Sequence, residues 1–458
     1  MTLPPEPGRT WRDTLAAYAH PRVRAILFLG FSTGLAFPLV LTTLYARLRQ
    51  AGIDRTTIGM FGLVGLMFSI KFFWAPVVDR LRLPLLGRLG RRRSWMLLAQ
   101  FGVAAGLVSM ALYDPASGAA HMALLAVLTA FAGATQDIAI DAYRIEAVGT
   151  ELQGTMAASW QIGYQAALIC AQAGALTAAA AFGWTTSYLL MAACLGVGMV
   201  TVLLMDEPEV RVDRATAALE ARVVSFLERA AHWPARLRDA GAWVIGAIVC
   251  PVTDFFARYG WRVALFTVAL IVTYRWNYVT MGMAANTFYL DLGFTLTQIA
   301  AISKTFGLIV TMTGGVIGGL LVARFGIPKS LLAGFVLLTA GNLFYAFIAE
   351  IHPDVWWLAA AVSIDNIGNG IAGVAFIAYM SSLTNPAYTA TQFALFGMLW
   401  SLPSKLLGSQ WGRIVDAIGY RPFFVYTALI GLPSLLLVLW LMRQPPAPKP
   451  GAASSART

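Results

Sequence analysis

The chain has 458 residues, 58% apolar and only 12% charged, with a formal net charge of +11. Mean hydropathy is +0.69. A soluble domain carries about 25% charged residues, so this composition excludes a disordered chain and an ordinary water-soluble enzyme, and leaves a polytopic membrane protein. The apolar runs are long and continuous, unlike the short alternating segments of a membrane barrel, so the spans are read as helices.

Twelve spans are predicted, at 24–46, 57–78, 94–113, 121–147, 152–181, 184–205, 262–284, 297–323, 329–349, 355–383, 391–412 and 422–442. Residues 1–20 hold charged side chains and prolines with no apolar core, so the first span is expected to stay as an anchor. The expected division is an amino tail at 1–23, a six-helix half at 24–205, a connector at 206–261, a second half at 262–442 and a disordered tail at 443–458. Of the 33 basic residues, 24 fall on the side of the two termini and five on the other. Cytoplasmic loops carry the excess of Lys and Arg, so both termini are expected in the cytoplasm. The positive charge is thus a topology and lipid signal rather than one for nucleic acid. In the connector, Leu219, Val223, Phe226, Leu227, Ala230, Trp233 and Leu237 follow helical spacing, with arginines beside them. That pattern predicts a helix lying on the membrane surface.

Cys170, Cys194 and Cys250 sit in apolar surroundings, and the four histidines lack metal-ligand spacing, so neither a disulfide nor a metal centre is expected. An intramembrane transferase would need catalytic His, Cys or metal-binding acids at a membrane face, and none is read; the chain is expected not to be an enzyme.

Ionisable groups inside spans are costly and point to function. Span 2 carries Lys71. Span 4 carries Asp137, Asp141 and Arg144, spaced i, i+4, i+7 and so on one helix face. Asp137 and Asp141 are the candidate proton carriers, with Lys71 or Arg144 as partner; the structural alternative is an ion-pair set that holds spans 2 and 4 together. Asp79, Arg80, Arg144 and Glu146, nearer the cytoplasmic end, are read as a gate or salt bridge. Arg275, Lys304 and Lys405 come from three spans and would attract carboxylates, or else snorkel to an interface. Gln136, Gln161, Tyr164, Gln165, Asn277, Asp365, Asn366 and Asn369 offer hydrogen bonds, and Trp160, Trp276 or Trp400 aromatic platforms. Interhelical bonding is the alternative for each polar residue.

Two six-helix halves joined by a cytoplasmic connector match the plan of a major facilitator transporter, an all-α fold with its substrate site between the halves. Asp79-Arg80, followed by Gly90-Arg91-Arg92-Arg93, looks like a loosened form of that superfamily's loop signature. Within it, the chain resembles the AmpG muropeptide permeases of Gram-negative inner membranes. The resemblance is carried by Gly30-Phe31-Ser32-Thr33-Gly34-Leu35, Ile70-Lys71-Phe72-Phe73-Trp74-Ala75-Pro76-Val77-Val78-Asp79-Arg80, Gln136-Asp137-Ile138, Asp141-Ala142, Pro251-Val252-Thr253-Asp254-Phe255-Phe256, Lys304-Thr305-Phe306-Gly307-Leu308 and Ala390-Thr391-Gln392-Phe393-Ala394-Leu395. It implies proton-driven import of N-acetylglucosaminyl-anhydro-N-acetylmuramic acid, with or without peptide, by a monomer that uses no cofactor beyond the proton. In producing species such import feeds beta-lactamase induction. The chain departs from the family at Tyr274-Arg275-Trp276-Asn277, where a carboxylate is missing, and at Gly163-Tyr164-Gln165, where a cation can stand. Relatives carry siderophores or acyl-coenzyme A, which is the alternative substrate class.

Overall fold

The computed structural model describes residues 16–84, 86–208, 245–351, 354–408 and 410–443, with six further residues between 228 and 241. The surface helix expected at 219–237 and both tails lie largely outside the described residues. Among those described there are helices and turns but no strand.

The first helix, α1 (Pro21–Gln50), starts behind His20, whose side chain accepts from the Arg22 N–H, with Pro21 in the first turn. There the missing proline N–H costs no bond. Pro38 interrupts α1 internally and Leu41 leaves helical geometry. The second span, α2 (55–80), is a chain of short helical turns rather than one helix. Its break at Lys71–Phe73 precedes Pro76, which has no N–H to give the Phe72 carbonyl. Lys71 therefore sits where the backbone is already irregular. Next come α3 (Arg91–Leu112) and α4 (Ala119–Glu146). The apolar run Gln153–Leu204 turns at Gly183, at φ +83°, into α5 (153–182) and α6 (184–204).

In the second half, Gly260 at φ +72° separates a connector helix (250–259) from α7 (261–291). Then follow α8 (296–325), α9 (Ile327–Ile348), α10 (Val355–Ser382), α11 (389–418) and α12 (Tyr420–Arg443). Asp354 caps α10 by accepting from the Trp356 and Trp357 N–H groups. Nine apolar helical runs among the described residues are long enough to cross a membrane. One of them holds both α5 and α6, and the broken α2 and α11 complete twelve spans.

The left-handed glycines repeat between the halves. Gly52, Gly90 and Gly183 turn the chain after α1, before α3 and after α5. Gly293, Gly326 and Gly419 do so after α7, before α9 and after α11. Internal repeats of this kind are common in transporters.

Lipid tails are as apolar as leucine, so helix association here rests on close contact. Gly30 and Gly34 of α1 face the backbone of Trp160 and Tyr164, and a Cβ on Gly163 would run into the Leu27 carbonyl oxygen. In the second half α10 is sandwiched: a Cβ on Gly370 would run into the Thr311 carbonyl oxygen of α8, and one on Gly334 of α9 would lie 2.6 Å from Ala372 Cα. Phe101, Leu204 and Trp356 stand exposed on the outside, where lipid covers them.

Gly163→Val should therefore drive α1 and α5 apart, lowering stability by about 1–3 kcal/mol or more, as overpacking does. Gly282→Ala, with open space around it, should change little. Thermal unfolding of both variants in detergent, followed by size-exclusion chromatography, checks the contrast.

Candidate functional site

The first half places four charges together inside the membrane. Lys71 Nζ lies 3.5 Å from Asp137 Oδ2 and 3.4 Å from Asp141 Oδ2. The lysine thus engages both carboxylates at once. The i, i+4 spacing on α4 stacks the two acids one turn apart, and the break in α2 presents the ammonium between them. Arg144 Nη2 lies 3.6 Å from Asp141 Oδ1. Two cations and two anions make the set neutral as a whole, which limits its cost in hydrocarbon. Arg144 also reaches the other half, donating to Ser381 Oγ at 3.0 Å and stacking 5.0 Å from the Phe393 ring. Asp137 Oδ1 is buried without a hydrogen-bond partner.

The second half supplies an opposing group. Arg275, at the step in α7 before Trp276, donates to Asn369 Oδ1 at 2.5 Å. Its guanidinium lies 4.8 Å from the Tyr278 ring and 5.8 Å from Trp400. Asp365, one turn before Asn369 on α10, is buried as well. Gly373 of α10 sits between the halves here: a Cβ on it would lie 3.3 Å from Arg275 Nη1 and 3.6 Å from Gln161 Oε1. Gln161 of α5 and Arg275 of α7 thus face one space. Trp160 stacks on Tyr164 at 5.1 Å on the same helix as Gln161. Trp160 Nε1, Gln165 Oε1, Arg275 Nε, Trp276 Nε1 and Asp365 Oδ1 are buried and unpartnered. Buried polar atoms are usually satisfied, so this set has bonding capacity to spare.

Toward the face of the basic 2–3 loop the halves are locked. Arg92 is fully buried and pairs with Asp79 Oδ1 at 2.8 Å and Glu146 Oε1 at 2.5 Å. Asp79 also accepts from the N–H groups of Ala390 and Thr391 at 3.2 and 2.8 Å, and from Thr391 Oγ1 at 2.7 Å. A carboxylate of the first half thereby caps α11 of the second, where the helix dipole favours negative charge. The connector helix grips the same turn: Asp254 accepts from Asn385 Nδ2 and Gln392 Nε2, both at 3.0 Å, and from Arg258 Nε at 2.9 Å. Arg80 is exposed and donates to the Gly246 carbonyl.

Residues 25–406 and, in a second match, 265–457 fit the family described as the Major Facilitator Superfamily. An anhydromuropeptide permease of Escherichia coli K12 is 32% identical over 428 residues, covering 93% of this chain and 80% of that protein. A Rickettsia conorii protein named as transporter AmpG 4 is 28% identical, covering 92% of this chain and 96% of its own. The chain belongs to the AmpG permease family of the major facilitator superfamily. The permease is accordingly a polytopic membrane transporter and not an enzyme. Its fold is similar to that of the proton:xylose symporter XylE, at a TM-score of 0.64 and 11% identity over 93% of this chain and 96% of that one.

The permease brings Lys71, Asp137, Asp141 and Arg144 into one cluster, and Gln161, Arg275, Asn369 and Trp400 toward another. Several expected lining residues are placed otherwise. Gln136 is fully buried and donates to Ser32 Oγ at 3.1 Å, a bond internal to the first half. Asn366 accepts from Thr311 Oγ1 at 2.7 Å and donates to the Val362 carbonyl, tying α10 to α8. Asn277 is fully buried and accepts from the Tyr278 N–H. The side chains of Lys304 and Lys405 lie outside the described residues. In the gate, the buried partner of Asp79 is Arg92 rather than the neighbouring Arg80. Asp254, Arg258, Asn385 and Gln392 escaped the sequence reading of the gate, though Asp254 and Gln392 fall within the motifs that carry the family resemblance.

Asp79→Asn should loosen the α11 cap, because charge-assisted bonds to two N–H groups become neutral ones. A Ser381→Cys probe in a background without Cys170, Cys194 and Cys250 should then react faster with a thiol reagent from the basic face, by about tenfold. Equal rates with and without the Asp79→Asn change would show that the cap does not hold the halves together.

Proposed function

We propose that the permease imports cell-wall muropeptides, GlcNAc-anhydroMurNAc with or without peptide, across the bacterial inner membrane by proton symport with alternating access, as a monomer with both termini cytoplasmic. The observation that carries this reading is the neutral set Lys71–Asp137–Asp141–Arg144, held inside the membrane and bonded across to Ser381 in the other half. A proton taken up by Asp137 or Asp141 cancels one negative charge. Lys71 and Arg144 are then one anion short, and the bond network that spans the halves must rearrange. Proton arrival is in this way coupled to the contact that opens and closes.

Opposite this set, the substrate's carboxylates and amides meet Arg275, Asn369, Gln161, Tyr164 and Gln165, with Trp400 and the Trp160–Tyr164 stack as platforms. An amide-rich disaccharide needs this mixture of hydrogen-bonding groups and flat apolar faces. The name of the Escherichia coli relative, an anhydromuropeptide permease, supports the same substrate class. With the termini in the cytoplasm, the lock of Asp79, Arg92 and Glu146 closes the cytoplasmic side, and the access path lies toward the periplasm. No cofactor enters this scheme besides the proton.

Proteoliposomes loaded with this protein should accumulate radiolabelled anhydro-muropeptide only under an inward proton gradient, and unlabelled disaccharide should compete. Absence of both binding and uptake in folded protein would send the search to siderophores and acyl carriers. Asp141→Asn should abolish uphill accumulation while sparing exchange of internal for external substrate; unchanged uphill uptake would remove Asp141 from coupling. Arg275→Gln should raise KM about tenfold or more, the loss expected for a charged hydrogen bond, with the proton dependence of uptake retained.

A further inference from the structure

We propose that a groove on the outer side of the first half is a binding site for one phosphatidylethanolamine. The groove has a volume of about 650 Å³ and lies between the start of α1 and the end of α6, with α4 as its floor. Its lining comes from α1, α4, α6 and the two residues that follow α6. Beside the groove α3 and α6 clasp each other: Glu207 accepts from the Arg92 and Arg93 N–H groups, and Arg93 donates to the Val202 and Leu203 carbonyls. The clasp puts the groove at the level of the basic 2–3 loop, where lipid headgroups sit.

Its lining is split as a phospholipid is split. At the rim stand Arg22, Arg24 and Asp206. Arg22 donates to the Ala147 carbonyl, whereas Arg24 is exposed and has no partner among the described residues. Beyond the rim the walls are apolar and open: Phe28, Val197, Val200 and Leu204 are 46, 41, 55 and 80% exposed. The floor supplies an independent sign of a ligand. Tyr143 lines the groove with no surface exposed to water, and its hydroxyl has no hydrogen-bond partner. A buried hydroxyl left without a partner is costly.

A phosphate satisfies this arrangement, accepting from Tyr143 Oη and Arg24, with an acyl chain laid along Phe28 and Val200. Asp206 decides which headgroup. A carboxylate beside the phosphate position repels a purely anionic headgroup and attracts a primary ammonium two carbons away. Ethanolamine carries that ammonium, with three N–H donors for Asp206; glycerol does not.

Native mass spectrometry of the full-length protein in detergent, titrated with phosphatidylethanolamine or phosphatidylglycerol, tests the site. One phosphatidylethanolamine per chain should be retained, about tenfold more tightly than phosphatidylglycerol. Arg24→Ala and Tyr143→Phe should each weaken retention about tenfold; the second keeps the ring that packs the floor and so preserves the fold. Glycerophosphoethanolamine, which has no acyl chains, should not displace the lipid. Equal retention of the two lipids, retention unaltered in both variants, or displacement by the chainless headgroup would each overturn the proposal.

Discussion

Hydrocarbon solvates no charge, and the four charges that the first half keeps in the membrane are arranged to cancel: Lys71 and Arg144 balance Asp137 and Asp141. The local backbone follows from that requirement. Lys71 stands in the irregular stretch ahead of Pro76, and from there its ammonium meets two carboxylates.

Much of the site was legible in the sequence because helical spacing is a local property. Asp137, Asp141 and Arg144 fall on one face by arithmetic alone, and the pairing of Lys71 with both acids is the tertiary completion of that face. Gln136 misled for the same reason. Adjacent residues on a helix point about 100° apart, so the neighbour of a site carboxylate looks toward α1 and meets Ser32. Arg92 was hidden among three successive arginines that topology alone explains. Only the start of α3 behind Gly90 decides which of the three turns inward. The grip of Asp254 on Gln392 joins residues 138 positions apart, a distance no periodicity reports.

The contacts at the basic face and those of the charge cluster meet at α11. Arg144 belongs to the cluster yet bonds Ser381 and faces Phe393, and Phe393 lies one turn into the helix that Asp79 caps. α11 thus touches both sets of contacts. The connector helix, fastened by Asp254 to the same turn, adds a third hold on it.

The matched glycines locate where the two halves differ in length. From Gly183 back to Gly90 the interval equals that from Gly419 back to Gly326, but Gly52 to Gly90 is 38 residues where Gly293 to Gly326 is 33. The first half is thus five residues longer in the stretch that holds Lys71, Asp79 and the loop before Arg92. That stretch carries the bolt, Asp79, and the amide end of α11 in the other half is the socket that receives it.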